Sequence, residues 1–168
     1  MSGQVDYRTV KNTGILHEVA AGDFDVLAYG EDGATCIGTQ HLDGCSAIMI
    51  ISQRGALLAL IPPYIFRDQE RMLDVANLYN ACYLQYFMGP VKAYVFSAIH
   101  DGLEAVAGQG PIIDYTLRRI GLFPHHCVYR TDSQPFTGRG TVFVDGRGAV
   151  PLVYLEAEFM GTNLSSIP

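Results

Sequence analysis

The sequence predicts a single-domain α/β (α+β) sandwich in which mostly antiparallel strands pack against two helices. Three observations lead to this prediction. Two apolar runs, residues 46–51 and 56–61, flank a short polar connection that contains a glycine, as in a β-hairpin. A helical apolar stripe follows over residues 67–86, and residues 91–99 then form a strand pattern. One domain made of strands, helix, strand, helix and strands is typical of an α/β layer structure.

The strands of the first half are bounded by turn residues. Residues 24–29 alternate as a strand does, residues 30–33 form a turn, and residues 34–38 are a short strand that leads to the hairpin. Neither hairpin run alternates, so we expect both of its faces to be covered. Pro62-Pro63 ends the hairpin because proline cannot continue a strand ladder.

The helices and the closing strands are predicted from spacing. The helix over 67–86 carries apolar residues three and four positions apart: Met72, Val75, Leu78, Tyr79, Cys82, Tyr83 and Tyr86. A second helix covers residues 111–120, with proline in its first turn. Three short strands follow, at 127–130, 141–144 and 152–156, and the last two are joined by a glycine-rich turn.

Composition indicates one globular domain. The chain has 168 residues, of which 49% are apolar and 17% are charged. We assign residues 1–168 to a single domain with a core at about 24–156, and we expect residues 1–20 and 157–168 to be peripheral.

Several classes of partner are excluded at this level. The net charge is −6 and lysine and arginine are not clustered, so nucleic acid is not an expected partner. The apolar runs are far shorter than the roughly 20 residues of a membrane helix. No leader pattern is visible and the four cysteines are widely spaced, which favours thiols in the cytoplasm. Mean hydropathy is +0.16, which is compatible with a homo-oligomer.

The candidate site is a turn that ends in Gly44-Cys45, directly before the first hairpin strand. Glycine allows a substrate to approach the backbone closely, and the strand holds the thiol on a rigid element. Thr39 lies six positions before Cys45. Cys45 is thus a candidate nucleophile, and the alternative is a small buried residue at a strand start.

This pattern resembles the deamidase-like fold of chemoreceptor glutamine deamidases and of cytotoxic-necrotizing-factor-type catalytic domains. In that family a threonine precedes the nucleophilic cysteine by six residues, and the cysteine ends a short glycine-containing motif at a buried strand, here Leu42-Asp43-Gly44-Cys45. The order of elements over about 24–156 is similar as well. The resemblance implies amide hydrolysis through Cys45, with Thr39 shaping the site. The sequence itself contains no nucleotide-binding or metal-binding spacing, so we expect no cofactor or metal.

The sequence departs from the family where the catalytic histidine is expected. In the family the second hairpin strand carries that histidine, and the corresponding position here is Leu60. Leucine cannot accept a proton, so the usual cysteine–histidine dyad is broken. Leu60, Gly44 and Asp43 then become candidate ligand-binding residues, although Asp43 also suits a turn-capping role.

Two other histidines are candidate bases. His41 precedes Cys45 by four residues, about 13 Å along an extended chain, so only a tight turn brings them together. His100 ends a predicted strand and reaches the site if that strand borders the Cys45 strand. The alternative for either residue is a surface or capping histidine. The adjacent pair His125-His126 is a weak metal pattern, because neighbouring side chains on an extended chain point in different directions.

Three functions remain open. The first is a divergent cysteine-centred enzyme that acts on an amide or related carbonyl group. The second is a member that has lost the dyad and binds or transforms a hydrophobic small molecule without hydrolysis. The third is a protein-interaction domain in which Cys45 is structural.

Overall fold

The computed structural model describes residues 5–40, 42, 44–63, 67–131, 140–155 and 158–159. The helices are α1 (Tyr7–Asn12), α2 (Asp68–Cys82) and α3 (Gln109–Arg119). The strands are β1 (Leu16–Glu18), β2 (Phe24–Ala28), β3 (Cys36–Thr39), β4 (Ser46–Ile51), β5 (Gly55–Ile61), β6 (Lys92–His100), β7 (Leu103–Glu104), β8 (His125–Arg130), β9 (Val142–Asp145), β10 (Leu152–Leu155) and β11 (Glu158–Phe159). A 3₁₀ turn covers Glu31–Gly33, and a π turn, Tyr83–Phe87, continues α2.

The strands form two sheets. One has the order β1-β3-β9-β10-β11, and the other has the order β2-β5-β4-β6-β7, with β8 also paired to β6. The pairs β1/β3 and β6/β8 are parallel, and the other described pairs are antiparallel. The prediction of a mixed α/β sandwich with mostly antiparallel strands is therefore confirmed.

The two sheets pack face to face, and helices cover their outer faces. Ile37, Met49, Leu58, Phe96 and Val144 belong to the core between the sheets. On the other face of the six-stranded sheet a second core contains side chains of α2 and α3, namely Met72, Val75, Tyr79, Ile113 and Leu117. The two helices thus pack on this sheet, as predicted.

The hairpin of β4 and β5 lies at the centre of the six-stranded sheet. Its antiparallel register pairs Ser46 with Ile61 and Ile51 with Ala56. Every residue of both strands is buried, because one face meets the other sheet and the opposite face meets α2 and α3. The expectation that both faces are covered is confirmed.

Four short elements were not predicted, namely α1, β1, β7 and β11, and two of them show why. Helix α1 has six residues, and Asp6 caps it by accepting a hydrogen bond from the Arg8 N–H at 3.2 Å. Its Tyr7 and Val10 pack on the outer face of the five-stranded sheet. Strand β7 has two residues and pairs with the end of β6. Both elements are too short for a periodic pattern and depend on tertiary contacts.

Candidate functional site

The start of β4 is held in a defined turn. Gly44 has a φ of +91°, which favours glycine because a Cβ would be strained there. The Cys45 N–H donates to the Leu42 carbonyl oxygen at 2.7 Å, and the Leu42 N–H donates to the Gly140 carbonyl oxygen at 2.9 Å. The turn is thereby joined to the segment that leads into β9.

Tyr129 of β8 fixes the same turn from within the core. Its hydroxyl donates to the Cys45 carbonyl oxygen at 2.6 Å and accepts from the Gly44 N–H at 3.0 Å. The N–H groups of Gly44 and Cys45 are thus both used internally. In this arrangement neither can stabilise an oxyanion above the thiol, as backbone donors do in acyl-transfer sites.

Cys45 and Thr39 lie on different sheets. Cys45 is 5% exposed and precedes β4, whereas Thr39 is 2% exposed and ends β3, where it pairs with Val142. The Thr39 hydroxyl donates to the Gln40 carbonyl oxygen at 3.1 Å. The six-residue spacing of the motif therefore spans the crossing from the five-stranded sheet to the six-stranded sheet.

Leu60 is a core residue. It is 2% exposed, pairs with Ala47 in the hairpin register, and belongs with it to the core between the sheets. The residue that was predicted to stand in place of the family's histidine therefore packs in the apolar core.

Of the two candidate bases, only His100 belongs to the part of the chain that the structure describes. Strand β6, which carries His100, borders β4 as the prediction required, but β7 occupies the edge of β6 at His100 and pairs it with Leu103. The ring nitrogens of His100 lie 3.3 Å from Thr131 Oγ1 and 3.6 Å from Asp101 Oδ2, and its side chain is largely exposed. His41 and Asp43 lie outside the described residues.

The other described histidines make exposed contacts with aspartates or lie on the sheet surface. His17 contacts Asp25 at 2.7 Å, His126 contacts Asp114 at 2.8 Å, and the ring of His125 packs near that of Tyr94. Within the described part of the chain, no group of three or more histidine, cysteine or acidic side chains is arranged to hold a metal ion.

A buried polar network lies on the helix-facing side of β4, and sequence reasoning missed it. The Ser46 hydroxyl donates to Gln109 Oε1. Gln109 Nε2 donates to the Pro62 carbonyl oxygen at 2.8 Å and to Asp68 Oδ2 at 3.1 Å. Gln109 and Asp68 are each 1% exposed, and they are the first residues of α3 and α2. The network therefore connects the starts of both helices to the start of β4.

One carboxylate oxygen of Asp68 is an unused hydrogen-bond acceptor. Asp68 Oδ1 is buried and has no hydrogen-bond partner within the described structure. A buried acceptor without a partner is costly and is therefore uncommon in folded proteins. Little in the sequence pointed to these two residues. Gln109 stands between two glycines just before an apolar helix, and Asp68 lies in the first turn of a helix, where acidic residues are common.

A small pocket opens beside this network. It has room for about one water-sized group and is lined by Gly44, Ser46, Ser97, Ala98, Glu104, Val106, Gln109 and Gly110. Gly44 and Ser46 contribute to it, whereas Cys45, which lies between them just before β4, is not among its lining residues. Gly44, a predicted ligand-binding residue, therefore borders a polar pocket.

The other cysteines provide a reference for thiol chemistry, since none of the four forms a disulfide. Burial, followed by the charge of Asp145, raises the pKa of Cys36 to about 11. Burial also raises the pKa of Cys127, and burial together with the charge of Asp25 raises that of Cys82. All three are therefore poor nucleophiles at neutral pH.

Comparisons with known proteins leave the site to be interpreted from its own geometry. No protein-family model matches the chain, and a search of curated proteins finds no match. Among the helices that the structure describes, none is long and apolar enough to cross a membrane.

Proposed function

We propose that this protein is a divergent member of the deamidase-like fold that binds a small nitrogen-bearing group, an amide or an amine, beside the start of β4. The polar pocket that Gly44, Ser46 and Gln109 help to line carries this proposal. It adjoins the Gly-Cys turn whose pattern resembles the deamidase family. Small-molecule sites are typically concave and contain a few convergent polar groups of this kind.

Histidine-assisted hydrolysis is not part of the proposal. The position expected for the histidine carries the buried Leu60, and the N–H groups of Gly44 and Cys45 are engaged within the fold. Loss of acid–base help alone reduces catalysis by about 10²–10⁴-fold. We therefore favour binding over cleavage of an amide.

A second candidate keeps Cys45 as a nucleophile toward an amide carbonyl, with Thr39 shaping the site and His41 or His100 as an unorthodox base. It is favoured by the rigid turn that Tyr129 imposes on the Cys45 backbone and by the adjacency of the His100 strand. This reading requires the turn to open, because an oxyanion needs donors that Tyr129 and Leu42 now occupy.

A protein-interaction role is the third candidate. Between α2 and α3 lies an open groove in which Leu73 and Tyr115 are exposed. Exposed apolar side chains of this kind favour a protein partner or a homo-oligomer. A cytoplasmic location is part of all three proposals.

An NMR titration tests the binding proposal. We expect n-butyramide, n-butylammonium or both to shift the backbone amide signals of Gly44, Ser97 and Gly110. The amides of Gly33 and Gly148, which lie away from the pocket, serve as internal references. If neither probe shifts the pocket signals at the highest soluble concentration, the proposed function is wrong.

Alkylation by iodoacetamide across a pH series separates binding from nucleophilic catalysis. We expect Cys45 to react no faster than Cys36, Cys82 and Cys127, each quantified by mass spectrometry. Selective reaction of Cys45, with an apparent pKa below that of an ordinary cysteine, would instead support the second candidate.

A further inference from the structure

We infer that the pocket beside the start of β4 is a site for a primary ammonium group, with Ser46 and Glu104 as its principal acceptors. This inference rests on the proposed function and names the chemical class of its ligand.

The direction of the hydrogen bonds in the network is the first argument. Gln109 Nε2 uses its two hydrogens on the Pro62 carbonyl oxygen and Asp68 Oδ2, which fixes Oε1 as the atom that faces Ser46. The hydroxyl of Ser46 has one hydrogen, and it is donated to that Oε1. The remaining capacity of Ser46 Oγ is therefore that of an acceptor, and a ligand must donate to it.

The charge of the pocket is the second argument. Of the described lining residues, only Glu104 is charged, and an ionised carboxylate accepts hydrogen bonds without donating them. Its Oε1 lies 3.8 Å from the point where a Cβ on Gly110 would stand, so it borders the start of α3. Asp68 lies behind Gln109, outside the lining, where the start of α2 already balances part of its charge. The carboxylate that borders the pocket is that of Glu104, and a cation is favoured beside it.

A neutral carboxamide fits less well. It would bring a carbonyl oxygen that needs a donor, and among the lining side chains only the Ser97 hydroxyl has a hydrogen to offer, because those of Ser46 and Gln109 are already used. A carboxamide head is also bulkier than the water-sized space of the pocket. A primary ammonium has three donors and no acceptor, so every polar atom of the ligand head can be satisfied. A hydrogen bond from an ammonium to a carboxylate is also charge-assisted and therefore stronger.

The pocket has room for about one water-sized group, so an ammonium head can enter it while the remainder of the ligand extends into solvent. The same chemistry is presented by a free alkylamine and by a lysine side chain. The experiment therefore includes both n-butylammonium and an Nα-acetyl-lysine amide, and the tighter of the two identifies the source.

The test is an NMR titration at constant ionic strength with matched probes. We expect n-butylammonium to bind at least about ten-fold more tightly than n-butyramide, which lacks the charge. It should also bind more tightly than n-butyltrimethylammonium, which keeps the charge but has no N–H donor. The readout is the dissociation constant from the Gly44, Ser97 and Gly110 amide shifts.

A pair of variants ties the binding to the pocket. Glu104→Gln should weaken binding of n-butylammonium about ten-fold, whereas Asp101→Asn, an exposed acid in the preceding turn, should leave it unchanged. Far-UV circular dichroism and the melting temperature establish that both variants are folded.

The outcomes separate this inference from the proposed function. Tighter binding of n-butyramide would overturn the ammonium assignment while leaving the binding function in place. Equal effects of Glu104→Gln and Asp101→Asn would show attraction to general negative charge and would also overturn it. If no probe binds, both proposals fail.

Discussion

Asp145 and Asp68 are both buried carboxylates, yet their surroundings differ sharply. Asp145 receives hydrogen bonds from Arg147 Nε at 2.9 Å, from Arg147 Nη2 at 2.6 Å and from the Arg147 N–H at 3.1 Å, and the Cys36 thiol lies 3.6 Å away. Asp68 accepts one hydrogen bond, from the neutral amide of Gln109, and its other oxygen has no described partner.

The difference separates a cluster whose carboxylate is fully engaged from one that keeps an unused acceptor. Burial by itself would raise the pKa of Asp145, but hydrogen bonds and charge from Arg147 outweigh it and hold that pKa below its usual value. The contacts between Asp145 and Arg147 lie in the β9–β10 turn, and both carboxylate oxygens of Asp145 accept a hydrogen bond there. The Asp68 cluster retains acceptors on both sides of Gln109, and the pocket lies beside it.

Of the variants that test this comparison, one without the Gln109 amide should show the largest change in the free energy of unfolding. We expect Gln109→Leu to lower the free energy of unfolding by about 3 kcal/mol, because Ser46, Pro62 and Asp68 would all lose a buried hydrogen-bond partner. Urea unfolding measures the change. Gln69→Leu, at an exposed position in the first turn of α2, is the control and should change stability by less than about 0.5 kcal/mol. Equal effects would mean that the network contributes nothing specific.

Replacement of Asp145, in the cluster with Arg147, should have the second-largest effect on stability. We expect Asp145→Asn to cost about 1–2 kcal/mol at neutral pH, an estimate reduced for screening because Arg147 is half exposed. The matched control is Asp74→Asn, an exposed change on α2. A loss no larger than that of the control would show that the Arg147 pair is only a surface contact.

The cost of Asp145→Asn should depend on pH. Because the pKa of Asp145 is lower in the folded state, its stabilising contribution is present above the ordinary value of 3.8 and is lost as the pH falls through the folded value. The difference between wild type and variant should therefore shrink as unfolding is measured at increasingly acidic pH. A difference that stays constant from neutral to acidic pH would contradict this assignment.

The smallest effect is expected at Asp68. Asp68→Asn keeps an acceptor for Gln109 and removes an incompletely paired buried charge, but it loses a favourable interaction with the start of α2. We expect a change of less than about 1 kcal/mol in unfolding free energy. If this variant is as destabilised as Asp145→Asn, the proposed contrast between the two clusters is wrong.

Local patterns predicted the scaffold of the site well. The β4–β5 hairpin and α2 were evident because continuous apolar runs and three-to-four-residue spacing reflect burial that each segment requires by itself. The location of Cys45 immediately before β4 followed from the same pattern. Helix α1 was missed because its six residues are stabilised by Tyr7 and Val10 on a distant sheet rather than by their own periodicity.

The polar side of the site could not be predicted in this way. Ser46 and Gln109 are 63 residues apart, and Gln109 and Asp68 are 41 apart, so no local spacing links them. The resemblance directed attention to Cys45, whereas the pocket is lined by its neighbours Gly44 and Ser46 together with Gln109, the first residue of α3.

By itself, the sequence determined a mixed α/β sandwich, a central covered hairpin and a Gly-Cys turn at its entrance, since each depends on residues close together in the chain. The tertiary structure alone decided that Leu60 is sealed in the core, that Tyr129 occupies the amides of the turn, and that two helix starts meet at Ser46. These outcomes depend on contacts between segments far apart in the chain, and they exist only once the sheets and helices have packed.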